Sequence, residues 1–203
     1  MRVLIACECS GQVRRAFRKL GHDAWSCDLQ PADDHSAFHY HGDVLELLDR
    51  TEDEWELLIA HPTCRYLANS GVAHLHTEEG RWDKMIQAVA FFHRLLYTSI
   101  PRICVENPIP HKYGVGKTYS QIIQPWMFGH MEQKATCLWL RNLPKLVETD
   151  NVKEPMMLLP DNERQRLFYL WSGPEREKIR SETFSGIAAA MATQWGSLKP
   201  WNT

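Results

Sequence analysis

The chain has no surplus of charge of either sign. Its 203 residues carry 23 Lys and Arg against 25 Asp and Glu, a formal net charge of -2. Such a particle does not coat nucleic acid by bulk attraction, although a local basic groove is compatible with it. The chain also lacks the run of about 18 apolar residues that a membrane-spanning helix needs, so no membrane span is expected. Its opening, MRVLIACECSG, is apolar only briefly before Arg14, Arg15, Arg18 and Lys19, and reads as a buried strand and a helix rather than a secretory signal. The six cysteines, at 7, 9, 27, 64, 104 and 137, lack zinc-type pairing, and reduced thiols in a cytoplasmic chain are expected. Two nucleotide signatures are missing as well, G-x-G-x-x-G and G-x-x-x-x-G-K-[ST]. Gly114-Val115-Gly116-Lys117-Thr118 lacks the first glycine of the second, follows no strand, and reads as a mobile loop.

What is present suits one globular domain over residues 1–203. Hydrophobic residues make up 44% and charged residues 24%, which argues against disorder and for a single core. Eight Trp is a heavy load for this length, with rings to spare for ligands. Arg2 to Ala6 reads as a strand, and Val13, Ala16, Phe17 and Leu20 recur at helical spacing after a turn at Cys9-Ser10-Gly11. Gly21-His22 closes that helix, and Ala24 to Cys27 makes a second strand ending at Asp28. The histidine-rich stretch 31–41 reads as a loop and Gly42-Asp43-Val44 as a short helical turn. Leu57 to Ala60 reads as a strand broken at His61-Pro62. A helix follows, with Trp82, Met85, Ile86, Val89, Phe92 and Leu96 on one face. Ile103 to Val105 is a strand stopped by Asn107-Pro108, and Thr136 to Leu140 is a fifth. Short helical character is expected over 162–170 and a closing helix over 186–195. This alternation implies an α/β fold with a mainly parallel sheet and helices on both faces.

The reactive groups collect at strand ends: Cys7-Glu8-Cys9-Ser10-Gly11, Asp28, His61-Pro62-Thr63-Cys64 and Glu106-Asn107-Pro108. In a parallel sheet these ends form one edge, where ligands bind. Asp28 can accept both hydroxyls of a ribose while Gly11 lets the backbone approach the ligand, or Asp28 can simply cap the next turn. Cys64 lies on a proline-fixed turn beside Arg65, a setting for a thiolate nucleophile. Glu106 can exchange a proton with a ring nitrogen. Together they suit attack on C6 of a pyrimidine. The histidines at 35, 39 and 41, or 74 and 76, with Cys7 or Cys9, form a rival metal set, but H-x-H pairs in polar loops read as solvent-exposed or supporting groups and no metal is expected.

These motifs resemble those of the cytosine-5 DNA methyltransferases, in particular the short phage and prophage members. IAHPTC resembles the proline–cysteine motif, which implies that Cys64 is the nucleophile, with Pro62 and Thr63 before it and Thr63 in place of the usual second proline. VENPIPH resembles the Glu-Asn-Val motif, which implies cytosine binding by Glu106 and loop fixing by Asn107, with Pro108 in place of valine. ACECSGQ stands where the cofactor loop is expected, which implies cofactor contacts from Cys7, Glu8, Cys9, Ser10 and Gly11; Asp28 matches the ribose position and Asp43 the one beside adenine, with Pro62 near the cofactor. EQKATCLWL loosely resembles the Gln-x-Arg-x-Arg strand, with Lys134 and Thr136 at the arginine positions, and RSETFSGIAAAMATQWG resembles the closing motif.

The resemblance implies a Rossmann-like fold, S-adenosylmethionine as cofactor, 5-methylcytosine in DNA as product, a covalent Cys64 adduct, a base flipped from the stack, and residence in a bacterial cell or phage-infected host. Substrate contacts are implied for Pro62, Thr63, Arg65, Asn107, Lys134 and Thr136. Arg65, Arg81, Lys112, Lys117 and Trp126 are candidates for the nucleic-acid surface. Residues 142–178 stand where larger relatives carry a target-reading domain and are too few for one, so limited sequence reading is expected. Two other functions fit the residues: methylation of a free pyrimidine nucleotide or RNA, and a methyltransferase-like binding protein without catalysis.

Overall fold

A computed structural model describes residues 1–199 and 201 of the chain. Seven strands form one sheet: β1 (Arg2–Ala6), β2 (Asp23–Asp28), β3 (His39–His41), β4 (Leu57–Ala60), β5 (Arg102–Pro108), β6 (Gln121–Ile123) and β7 (Thr136–Arg141), in the spatial order β3-β2-β1-β4-β5-β7-β6. β3 through β5 pair in parallel, and β7 runs antiparallel to both β5 and β6. The helices are α1 (Gln12–Lys19), α2 (Val44–Thr51), α3 (Arg81–Leu96), α4 (Lys153–Met157), α5 (Asp161–Arg164), α6 (Arg166–Tyr169), α7 (Pro174–Ser181) and α8 (Ser185–Gly196).

β1 from Val3 to Ala6 and β4 are apolar without interruption because both sheet faces are covered there. Side chains alternate between two buried clusters, as the two-residue period of a strand requires. Leu4, Ala6, Leu58, Ala60, Ile103 and Val105 face the α2 and α3 side with Leu48 and Phe92. Val3, Ile5, Leu57, Ile59 and Cys104 face the α1 and α8 side with Phe17, Met191 and Trp195. The α/β expectation is borne out: the sheet is mainly parallel with helices on both faces.

Several local expectations are corrected. The histidine-rich stretch is not all loop, because β3 adds a short edge strand, held where His39 Nδ1 meets Ser26 Oγ at 2.8 Å and His39 Nε2 donates to the Gln30 carbonyl. The turn at 42–44 continues into the eight-residue α2, started by Asp43, whose carboxylate accepts from the Leu45 amide at 2.8 Å. The face of α3 is rotated: Arg81, Met85, Ala88, Phe92 and Leu95 are buried, whereas Trp82 and Ile86 are exposed. β5 runs through Asn107 to Pro108 instead of stopping at Val105, since β7 supplies a partner beyond the point where β4 ends. The 162–170 stretch forms two four-residue helices, α5 and α6, and α4, α7 and β6 are additional elements.

Candidate active site

Strand order reverses between β1 and β4, and the chain leaves β1, β2, β4 and β5 along one edge, opening a crevice outside their carboxyl ends. Cys7 turns out of β1 with φ +60°, a left-handed conformation that a non-glycine residue rarely adopts. Burial, then the charges of Asp28, Cys27 and Asp43, push its thiol well above the ordinary range, so both carboxylates converge on this turn. Asp28 Oδ1 accepts from the Gln30 amide at 2.8 Å, capping the next turn, while the side chain stays half-exposed. Cys9 and Ser10 are half-buried on the same turn.

Two residues of this loop face inward. Glu8 is buried, and its carboxylate accepts from the amides of Val13 at 2.7 Å and Arg14 at 3.3 Å, filling the N-terminus of α1. Burial raises its pKa despite those bonds and the nearby His61. Gly11 has φ +68°, and a Cβ there would lie 2.3 Å from Arg14 Nη2. Its small size therefore accommodates Arg14. Arg14 is itself buried, donating to Ser26 Oγ at 2.8 Å and to the Asp34 carboxylate.

On the other side of the reversal, β4 leads into His61, Pro62, Thr63 and Cys64. The loop is fixed from β5: Asn107 Nδ2 donates to the Pro62 carbonyl at 2.9 Å. It is fixed again further on, where His111 Nε2 donates to the Tyr66 carbonyl at 2.9 Å and the His111 amide to the Leu67 carbonyl at 2.9 Å. Thr63, Cys64 and Arg65 are exposed at its tip. Although Cys64 as a residue is exposed, desolvation raises its thiol pKa; Lys134 and Arg180 pull it down and Glu106 pushes it up. Cys64 thus lies within reach of a cation ahead of β7, another on α7 and the Glu106 carboxylate.

Glu106 occupies the point where β5 has passed the end of β4. Its Oε2 lies 2.8 Å from His61 Nδ1, and the side chains are only 15% and 11% exposed. Burial pushes the carboxyl pKa up, but the His61 charge and hydrogen bond, with Lys134, outweigh it and hold Glu106 below its ordinary value. His61 Nε2 and Asn107 Oδ1 are buried and make no hydrogen bond among the described residues. His61 stands among the strand-end groups but belongs to no motif of its own. Its signal was its place at the broken end of a buried strand, one residue before Pro62.

Other expected site residues part ways. Lys134 is half-buried and donates to the Arg180 carbonyl at 2.7 Å. Thr136 is buried at the start of β7, its hydroxyl donating to the Lys134 carbonyl at 3.3 Å, so it is withdrawn from the crevice surface by strand pairing. Arg81 is also withdrawn: it is buried, pairs with Glu78 at 3.0 Å and donates to the Arg65 carbonyl at 3.0 Å. Lys112 and Lys117 are exposed, and Trp126 is half-buried under Lys153. Unforeseen is the strap that α7 lays across the loops: Lys178 pairs with Asp33 at 2.8 Å, and Gln12 donates to Glu182 at 2.7 Å. A cavity of about 250 Å³ opens beside it between Gln12, His130, Arg166 and Phe184, and includes neither Cys64 nor Glu106.

Among the described residues no helix is long and apolar enough to cross a membrane. No protein-family model matches the chain. No curated protein sequence matches it either. Solved methyltransferase structures do resemble it. That of Entamoeba histolytica methyltransferase EhMeth matches with a TM-score of 0.50 at 13% identity, over 74% of this chain and 57% of that one. A DNA modification methyltransferase assigned to a prophage in E. coli matches at 0.47 and 13% identity, over 79% and 56%. S. pombe Dnmt2 methyltransferase matches at 0.43 and 14%, over 85% and 60%. The chain therefore spans at most three fifths of the solved chains it matches. It carries the Rossmann-like fold of a methyltransferase.

Proposed function

We propose that the chain is an S-adenosylmethionine-dependent methyltransferase acting on C5 of cytosine in DNA through a covalent Cys64 adduct. The observation that carries this reading is that the Cys64 loop after β4 is tied to β5 next to Glu106 by the Asn107–Pro62 hydrogen bond, with Lys134 and Arg180 acting on the thiol. The Cys64 thiolate forms a bond to C6 as the C5=C6 electron pair moves toward C4 and N3 takes up a proton at Glu106. That enriches C5, the atom to be methylated. Loss of the C5 proton and cleavage of the Cys64–C6 bond then restore the ring.

The cofactor's nucleoside half fits the residues present. Among the described residues only Oδ1 of Asp28 is used by the turn it caps, and Asp43 lies with it beside Cys7. The amides at the start of α1 are filled by Glu8, so Cys9 and Ser10, with Lys178 acting on the Cys9 thiol, are what the loop offers the amino-acid half. When bound, S-adenosylmethionine supplies an electrophilic methyl group. Pro62 shapes the wall between the two ligands, and Thr63, Arg65 and Lys134 line the mouth where the base enters.

Residues 142–178, in place of a target-reading domain, form only short helices, which favours limited sequence reading. The same observation favours a second reading, methylation of a free pyrimidine nucleotide or RNA. Methyl transfer to duplex DNA, single-stranded DNA, RNA and dCMP separates the two. Preference for DNA, lost in Cys64→Ala, supports the proposal; preference for dCMP or RNA replaces it with the second reading, and cofactor binding with no transfer to any of the four rejects both.

A further inference from the structure

We infer that His61 is a positioning residue that holds the proton delivered to the cytosine ring through Glu106, the two side chains acting as one acid across the ends of β4 and β5. This rests on the C5 reading above and adds to it a residue that the cysteine and glutamate motifs do not contain.

The geometry carries the inference. His61 Nδ1 and Glu106 Oε2 are 2.8 Å apart, and both side chains are almost enclosed by protein. Neither residue donates to or accepts from backbone among the described side-chain bonds, so the contact is not a loop tie of the kind Asn107 makes. Among the described residues the buried His61 Nε2 is unpartnered, which leaves the ring free to exist as imidazole or imidazolium without breaking another bond. Three charged groups face the ring: Glu106 from β5, Glu8 from the turn after β1, and Lys134 ahead of β7. Burial alone would keep His61 neutral, but Glu106 and then Glu8 outweigh burial and Lys134, and raise its pKa.

The opposite displacements of the two groups place the shared proton on His61, with Glu106 ionised. An ionised carboxylate accepts hydrogen bonds but cannot protonate N3. The path that balances is a two-step shift. The Nδ1 proton of His61 passes to Glu106 Oε2, and the Glu106 proton passes to N3 as the Cys64 sulfur bonds to C6. His61 is left neutral, the ring gains one proton, and both shifts reverse when the Cys64–C6 bond breaks. His61 sets how readily Glu106 can give a proton; Glu106 makes the contact with the base.

The pH profile of kcat/KM for methyl transfer tests this. Turnover needs a Cys64 thiolate and a proton on the His61–Glu106 pair. Because the thiol pKa is raised above 9.0 and that of His61 above 6.5, the rate is level between the two and falls on the acid side at the pair's own pKa. The wild-type acid limb is expected above the ordinary imidazole value. His61→Asn keeps a donor toward Glu106 but no titrating proton. Its acid limb then reports Glu106 alone and leaves the pair's value, and the level rate changes about tenfold for each pH unit moved. A purely structural role lowers the rate without moving the limb, and that result overturns the inference.

A second measurement needs no turnover. In ¹⁵N-histidine NMR spectra the His61 ring titrates above the ordinary imidazole value, and Glu106→Gln lowers its midpoint. A wild-type His61 midpoint at or below the ordinary imidazole value overturns the inference even if methyl transfer is robust. A wild-type chain that binds cofactor but transfers no methyl rejects the C5 reading instead, and the NMR titration still decides whether His61 holds the shared proton.

Discussion

Replacing Asp34 with Asn tests how the crevice wall is held. Arg14 is only 1% exposed, and its charge is met by Asp34, which lies on the loop between β2 and β3 and is joined also by Arg15 at 2.9 Å. Burial pushes the Asp34 carboxyl up, but Arg14 and Arg15 outweigh it and bring its pKa from 3.8 to about 2. A shift of roughly two units corresponds to at most about 2.5 kcal/mol of pH-dependent stability. The Asp34 side chain is 30% exposed, so solvent screening lowers that ceiling. Leaving the buried Arg14 charge unmatched acts in the opposite direction. About 2 kcal/mol is the expected loss for Asp34→Asn at pH 7, or a drop of about 4–8 °C in Tm for a chain of this length.

The sign follows from a depressed carboxyl. The stabilisation is fully present above pH 4 and is lost as pH falls from about 3.8 toward 2. Urea unfolding of both proteins between pH 2 and 7 should therefore show a difference that is constant above pH 4 and closes below it. A difference under about 0.5 kcal/mol at pH 7, or one that does not change with pH, refutes the argument.

Other expectations follow from single contacts. Gly186→Ala places a Cβ 1.9 Å from the Phe128 carbonyl oxygen, so α8 must shift, with a loss of about 1–3 kcal/mol or more in thermal unfolding. Asn107→Ala frees the Pro62 carbonyl inside the protein, with an expected cost of about 1–3 kcal/mol and faster proteolysis in the 61–68 loop. Lys134→Ala removes a cation that lowers the Cys64 pKa; the thiol titrates higher, and alkylation of Cys64 by iodoacetamide at pH 8 slows.

The frame was legible in the sequence because a parallel sheet covered on both faces writes itself as short apolar runs, and the strand-end positions of Cys64 and Glu106 follow from those runs alone. What was not legible depended on long-range partners. β3 has no apolar pattern and exists because β2 offers an edge and Ser26 a hydroxyl to His39. The face of α3 is set by what covers it, which buries Arg81 against Tyr66 and leaves Trp82 exposed. Glu8 and Gly11 read as cofactor groups, yet Glu8 fills the start of α1 and Gly11 makes room for Arg14. Thr136 was placed at the site by motif position and is buried by strand pairing. His61 was visible only as a polar residue at a strand end, because its partner is 45 residues away.

The central claim, that Cys64 attacks C6 of a cytosine, is tested most directly by a covalent trap. An oligonucleotide carrying 5-fluorocytosine, incubated with the protein and S-adenosylmethionine, cannot lose fluorine as a cation after methylation, so the Cys64–C6 bond persists. Intact mass spectrometry should show the protein plus one methylated oligonucleotide, mapped to Cys64 and missing in Cys64→Ala. Bound cofactor with no adduct, or an adduct that survives in Cys64→Ala, contradicts it.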